Sequence, residues 1–86
     1  MHEHSLIQNL IHKILSLAEK EEAAQVTKVS VTLGALSHMS AEHFKEHFDL
    51  AAKGTIAENA KLETELSQDI HDPDAQAILL RSIDVS

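Results

Sequence analysis

The sequence predicts a single small α+β domain with elements in the order αβαββ, a three-stranded sheet with two helices packed on one face. Three observations carry that expectation. Apolar residues recur at three- and four-residue spacing near the start and again around two phenylalanines. Elsewhere they alternate every second residue or run in β-rich stretches. The 86 residues, 43% of them hydrophobic, suffice for one modest core. A domain of this size buries only about 60% of its unfolded surface, so its stability is expected to be slight and homodimerisation would help it.

The first helix is expected over residues 6–22, on the stripe Leu6, Ile7, Leu10, Ile11, Ile14, Leu15, Leu17 and Ala18. Ser5-Leu6-Ile7-Gln8 reads as its capping box, with Ser5 as N-cap. Val29, Val31 and Leu33 alternate with Lys28, Ser30 and Thr32, a half-buried strand reaching to about Leu36. Gly34 suits close packing or a bulge at its end. Ser40 caps a second helix with Phe44 and Phe48 on one stripe, and Lys53-Gly54 stops it. Leu62, Thr64 and Leu66 alternate with Lys61, Glu63 and Glu65 as a second strand. Asp72-Pro73-Asp74 is a turn, and residues 77–85 form the third strand. The last two strands are expected to pair as an antiparallel hairpin with a long loop.

Composition excludes several functions. Seven Lys and Arg against 14 Asp and Glu give a net charge of −7, which disfavours a phosphate-binding surface and suits a cation-handling or protein-binding one. Two Phe without Trp or Tyr leave few stacking platforms for single-stranded nucleic acid. No nucleic-acid partner is expected. The absence of cysteine rules out disulfides and Cys-based zinc binding. The oiliest stretch, residues 6–18, is broken by Gln8, Asn9, His12 and Lys13 and falls short of a membrane span. No signal-peptide pattern opens the chain, so a soluble cytoplasmic protein without a membrane partner is expected. No nucleophile–base set, phosphate loop or cleft carboxylate pair stands out, and no enzyme is expected. Glu63 and Glu65 read as surface carboxylates.

The chemistry is concentrated in Met1-His2-Glu3-His4. Methionine removal needs a small second residue, so Met1 is expected to stay ahead of the bulky His2. Its α-amine, the His2 amide nitrogen and the His2 imidazole can close a five-membered and a six-membered chelate ring on one ion. The Glu3 amide or a second imidazole, from His4 or His38, supplies a fourth in-plane donor. Such a tetragonal nitrogen set suits Ni(II) or Cu(II), whereas zinc prefers a tetrahedron. His38 follows the first strand and can serve only if the fold brings it to the N-terminus. His43 and His47, spaced i,i+4, can hold one metal but are expected on a solvated helix face. His12 is expected within the first helix, opposite Ile14, as a residue at the boundary of its buried face, and His71 in an exposed turn.

Met1-His2-Glu3 ahead of the Ser5-capped helix resembles the opening of the HypA/HybF nickel chaperones of hydrogenase maturation. Val31-Thr32-Leu33-Gly34-Ala35-Leu36-Ser37 is similar to that family's strand-to-loop segment. Ala52-Lys53-Gly54-Thr55-Ile56-Ala57-Glu58-Asn59-Ala60 and Lys61-Leu62-Glu63 resemble its second-helix exit and next strand. Order and spacing hold over residues 1–66. The resemblance implies square-planar Ni(II) on the Met1 amine, backbone amides and the His2 side chain. Glu3 then contributes through its backbone, and its side chain supports the site or partner recognition. It also implies, as partners, a nickel-handling GTPase of HypB type and the large subunit of a nickel–iron hydrogenase, with urease maturation in some organisms.

Family members insert a zinc module with two Cys-x-x-Cys pairs before the last strand. Here a short turn at residues 68–76 stands in that place, so residues 1–86 read as a nickel domain without structural zinc. The alternative reading is a protein-interaction module of the same pathway, docking through a sheet edge or its first helix without delivering metal.

Overall fold

A computed structural model describes the chain apart from Met1, His38, Asp72, Asp74 and the side chains of His2, Glu3 and His4. Its elements are α1 (His2–Lys20), β1 (Val26–Leu33), α2 (Ala41–Ala52), β2 (Lys61–Leu66) and β3 (Ile78–Val85), the expected αβαββ order.

Helix α1 buries Ile7, Leu10, Ile11, Ile14 and Ala18, the stripe read from the sequence. It begins at His2, well before the expected start, so Ser5 lies inside the first turns and is no N-cap. Nothing in His2-Glu3-His4 stops a helix: no proline, glycine or β-branched residue interrupts it. The C-terminus closes with two bonds, Glu22 N to Glu19 O at 3.0 Å and Ala23 N to Ala18 O at 3.0 Å. Glu22 stands between them with φ of 53°, the left-handed residue of a Schellman turn. Helix α2 is capped as expected, the Ser40 hydroxyl accepting from His43 N at 3.1 Å. Beyond it Gly54 turns left-handed with φ of 83°.

The sheet order is β2-β1-β3, with β1 parallel to β2 and antiparallel to β3. The expected β2–β3 hairpin is therefore not formed. Strand β1 takes the centre because Val26, Val29, Val31 and Leu33 are all buried, whereas β2 and β3 are only half-buried. Residues 67–77 are long enough to cross over its end instead of turning back. That crossing is pinned to β1 and the loop after it: Ser67 N donates to Leu33 O at 2.9 Å, Gly34 N to Ala77 O at 2.9 Å and Leu36 N to Ala75 O at 2.7 Å.

Two register shifts explain where simple alternation fails. Between Val26 and Lys28 the pairing gains Thr27 on β1, and between Ser82 and Leu80 it gains Arg81 on β3. Each extra residue lets apolar side chains three apart face the same side: Val26 with Val29, and Leu80 with Ile83. The first bulge also moves the strand start to Val26, ahead of the alternating run, and the strand ends at Leu33, before Leu36.

Both helices cover one face of the sheet, α1 beside β3 and α2 beside β2, in a single core with Phe44 and Phe48 at its centre. The other face carries Ser30, Thr32, Glu63, Glu65 and Arg81. There the Lys28 ammonium meets Glu63 Oε1 at 3.1 Å across the β1–β2 pair. The hydrogen bond and charge of Lys28, aided by Lys61 and Ser30, hold the Glu63 carboxyl below the ordinary glutamate range.

Two measurements check these local devices. In urea unfolding, Ser40→Ala should cost about 1 kcal/mol, while Glu22→Gly should gain up to about 1 kcal/mol by relieving a left-handed non-glycine residue. A folded-state depression at Glu63 means its contribution is present above the unfolded carboxyl value and is lost as pH falls through the folded one. Carbon-detected NMR should therefore show the Glu63 carboxyl titrating below the ordinary glutamate range, and Lys28→Ala should remove most of that depression. An unchanged Glu63 in Lys28→Ala would exclude the cross-strand pair as its cause.

Candidate metal centre

The first four N–H groups of an α-helix have no acceptor within the helix. Because α1 starts at His2, the amides of His2 and Glu3 belong to that set. They are the backbone nitrogens that a terminal chelate would use, and their N–H groups donate to no carbonyl of the helix ladder. Of the expected donors, Met1 and His38 lie outside the described residues, as do the side chains of His2, Glu3 and His4.

Described residues near those positions in the sequence lie at one end of the sheet. Leu6, Asn9 and Leu10 line a groove with Ile78, Leu79 and Leu80. Those strand residues pair with Leu33, Thr32 and Val31. The start of α1 therefore stands at the C-terminal end of β1, where the loop holding position 38 begins. That loop is anchored by buried Met39 on one side of position 38 and by Ser37 N, which donates to Gly34 O at 3.0 Å, on the other. Residues 67–77 cross at the same end.

The remaining histidines divide into two groups. His12 and His71 are exposed. His43 and His47 depart from the solvated face expected of them: both are half-buried, and their ring centroids lie 4.5 Å apart with a 35° tilt. Their positions explain this, since each immediately precedes a buried phenylalanine and so borders the core stripe. His47 lines a groove of about 220 Å³ with Ile7, Gln8, Leu50 and Ala51, between α2 and the first turns of α1. Among the described residues no group of three or more His, Asp or Glu side chains could enclose a metal. No helix among them is long and apolar enough to cross a membrane.

Residues 1–71 match the family model described as HypA, hydrogenase/urease nickel incorporation, metallochaperone. A hydrogenase maturation factor HypA of Archaeoglobus fulgidus is 44% identical over 63 residues, 73% of this chain and 57% of the relative. The corresponding factor of Caldanaerobacter subterraneus is 40% identical over 62 residues, 72% of this chain and 54% of the relative. The chain thus matches little more than half the length of these curated relatives. In fold it is similar to the solution structure of the nickel metallochaperone HypA from Helicobacter pylori, with a TM-score of 0.77 at 17% identity over 96% of each chain. A second HypA solution structure gives 0.75 at 20% identity over 100% of this chain and 97% of that one. The chain belongs to the HypA family of nickel-incorporation metallochaperones, a family of metal carriers and not of enzymes.

Proposed function

We propose that this chain carries Ni(II) in a square-planar chelate at its N-terminus and passes it on during maturation of a nickel enzyme, in the first place a [NiFe]-hydrogenase. The donors are the Met1 α-amine, the His2 amide nitrogen and the His2 imidazole. The fourth is the Glu3 amide, with a second imidazole from His4 or His38 as the alternative. One observation carries the reading in a HypA-family chain: α1 runs to His2, so the His2 and Glu3 amides have no acceptor within the helix.

The electrostatics suit this donor set better than a set of neutral ligands. A bare dication is disfavoured at the positive end of a helix dipole. Two amides that lose their protons to nickel cancel its charge, so the loaded centre meets the dipole as a neutral unit. The Glu3 carboxylate belongs to the first turn, where negative charge is stabilising. Closing the chelate rings flattens the backbone of the first residues, so loading replaces the first helical turn locally and leaves the buried stripe from Ile7 onward in place. Release follows when the imidazole or amide nitrogens regain protons, or when a partner offers competing ligands.

The recipient is a HypB-type GTPase or the hydrogenase large subunit, reached in the cytoplasm. The zinc module of longer family members is replaced by the connection at residues 68–76, and this cysteine-free chain holds no structural zinc.

Nickel titration of tag-free protein with an unblocked Met1 tests the reading. One equivalent should bind with a yellow, low-spin absorption band. His2→Ala should abolish that species, and so should a residue added ahead of Met1, which converts the amine to an amide. A yellow species that survives either change would rule out the terminal chelate.

A further inference from the structure

We propose that the free edge of β3 pairs antiparallel with β3 of a second copy of this chain, joining two molecules into one continuous sheet in the order β2-β1-β3-β3-β1-β2. This contact uses none of the residues proposed to bind metal.

Strand β3 closes the sheet on one side, and its outer backbone groups have no hydrogen-bond partner among the described residues. Which residues face that edge follows from the bonds at the two ends of the strand. Gly34 N donates to Ala77 O at 2.9 Å, and Ser86 exchanges bonds of 2.9 and 3.2 Å with Gln25, so both ends face β1. Counting in twos from Ala77 gives Leu79 and Arg81 facing β1, and counting back from Ser86 gives Asp84 and Ser82. The two counts meet out of step at the bulge, where Arg81 is the extra residue. The backbone groups of Ile78, Leu80, Ile83 and Val85 therefore face the free edge. The same four side chains pack toward the helix-covered face.

That order is a palindrome about the midpoint between Arg81 and Ser82. In an antiparallel copy centred there, Leu80 falls opposite the partner's Ile83, and Ile78 opposite the partner's Val85, each twice by the two-fold symmetry. Every opposed pair then matches in face and in hydrogen-bonding direction, which allows about eight backbone bonds between the copies. A strand of the same length without the bulge fails this test, because centred self-pairing sets each inward side chain against an outward one. The bulge also selects the partner. A regular strand loses step with β3 at Arg81, whereas a second β3 carries the same irregularity in the same place.

The side chains agree with that register. On the inner face every opposed pair is apolar, beside the groove of about 210 Å³ that Leu6 and Leu10 line with Ile78, Leu79 and Leu80. On the outer face Arg81 lies opposite the partner's Ser82 and diagonal to the partner's Asp84, an opposite-charge pair made twice. Both charges are exposed, and neither has an ion pair among the described residues. Lys28, which is level with Asp84 in the β1–β3 register, is engaged by Glu63 at 3.1 Å. The other sheet edge is a poor competitor, since β2 alternates Lys61, Glu63 and Glu65, charges of the kind that discourage edge pairing.

One strand pair covers less area than a standard interface, and two copies of charge −7 repel each other. The dimer is accordingly weak, with a dissociation constant of roughly 100 μM at about 0.15 M salt, where the repulsion is screened beyond about 8 Å.

The experiment uses the full, metal-free chain. Sedimentation equilibrium from about 10 μM to about 1 mM should show monomer passing to dimer. Amide exchange followed by NMR over the same range should slow at Leu80, Ile83 and Val85, while Leu79 and Asp84, already bonded to β1, change little. Arg81→Glu sets like charges against each other across the seam and should weaken the dimer about tenfold with the far-UV circular dichroism unchanged. The chain lacks cysteine, so a disulfide can report the register. Leu79→Cys mixed with Asp84→Cys should cross-link under mild oxidation, because these positions oppose each other with Cα atoms about 4.5 Å apart. Leu79→Cys alone should not, its two copies being roughly 17 Å apart along the strands. Monomer throughout the range overturns the proposal, as does a dimer that protects other amides, ignores Arg81→Glu or gives no mixed cross-link.

Discussion

The inward face of β1 is the constraint on which the rest of the molecule depends. Val26, Val29, Val31 and Leu33 are fully or nearly fully buried, and no other strand in the sheet is. A strand so apolar must have both its edges paired and one face covered, so it occupies the centre of the sheet. Helix α2 then lies over the parallel side and α1 over the antiparallel side, with Phe44 and Phe48 filling the space between them and the sheet. Fully burying a side chain of this size contributes about 1.5–3 kcal/mol. In a domain this small, each such residue is a large part of a small net stability.

The central position of β1 also decides what meets at its C-terminal end. Because β2 is parallel to it and β3 antiparallel, the 67–77 connection must pass over that end and does so on backbone hydrogen bonds. The loop through position 38 leaves from the same place, and the start of α1 lies alongside. The described start of α1, which leads from the segment proposed to bind metal, thereby has neighbours at that end. The proposed chelate needs few of them, since most of its donors are backbone nitrogens. That economy fits a domain with no cysteine and no enclosed side-chain cage among the described residues.

Much of the fold was legible in the residue pattern. The stripe from Ile7 to Ala18, the Ser40 cap, the Gly54 stop and the alternation through Leu62 and Thr64 all follow from local periodicity and capping chemistry. What was not legible depends on pairing between distant segments. Thr27 and Arg81 enter as bulges only because β1 meets β3 at a given register, and nothing local marks either residue. The hairpin expectation failed for the same reason: local turn signals at Pro73 say that the chain turns, not which strand it turns toward. Ser5 misled because a good cap sequence also tolerates a helix interior when the residues before it are helix-compatible. The His43–His47 pair was visible as a spacing, but its half-burial came from bordering the phenylalanine stripe. The terminal site was read from the chelating chemistry of Met1-His2-Glu3 and from resemblance. The donors proposed for it are largely main-chain atoms, which leave little trace in side-chain pattern.

Nickel bound to deprotonated backbone amides is the proposed centre, and counting protons tests it most directly. Calorimetric nickel titration of the unblocked chain in buffers of different ionisation enthalpy gives the protons released per metal. At a pH of about 9, above the usual range of a terminal amine and of histidine, those groups have already lost their protons and only amides remain to release any. Two protons per tightly bound nickel are expected if the Glu3 amide is the fourth donor, and one if an imidazole takes that place. Tight binding with no proton released would mean that only side chains and the amine hold the ion, and would contradict the amide-bonded centre.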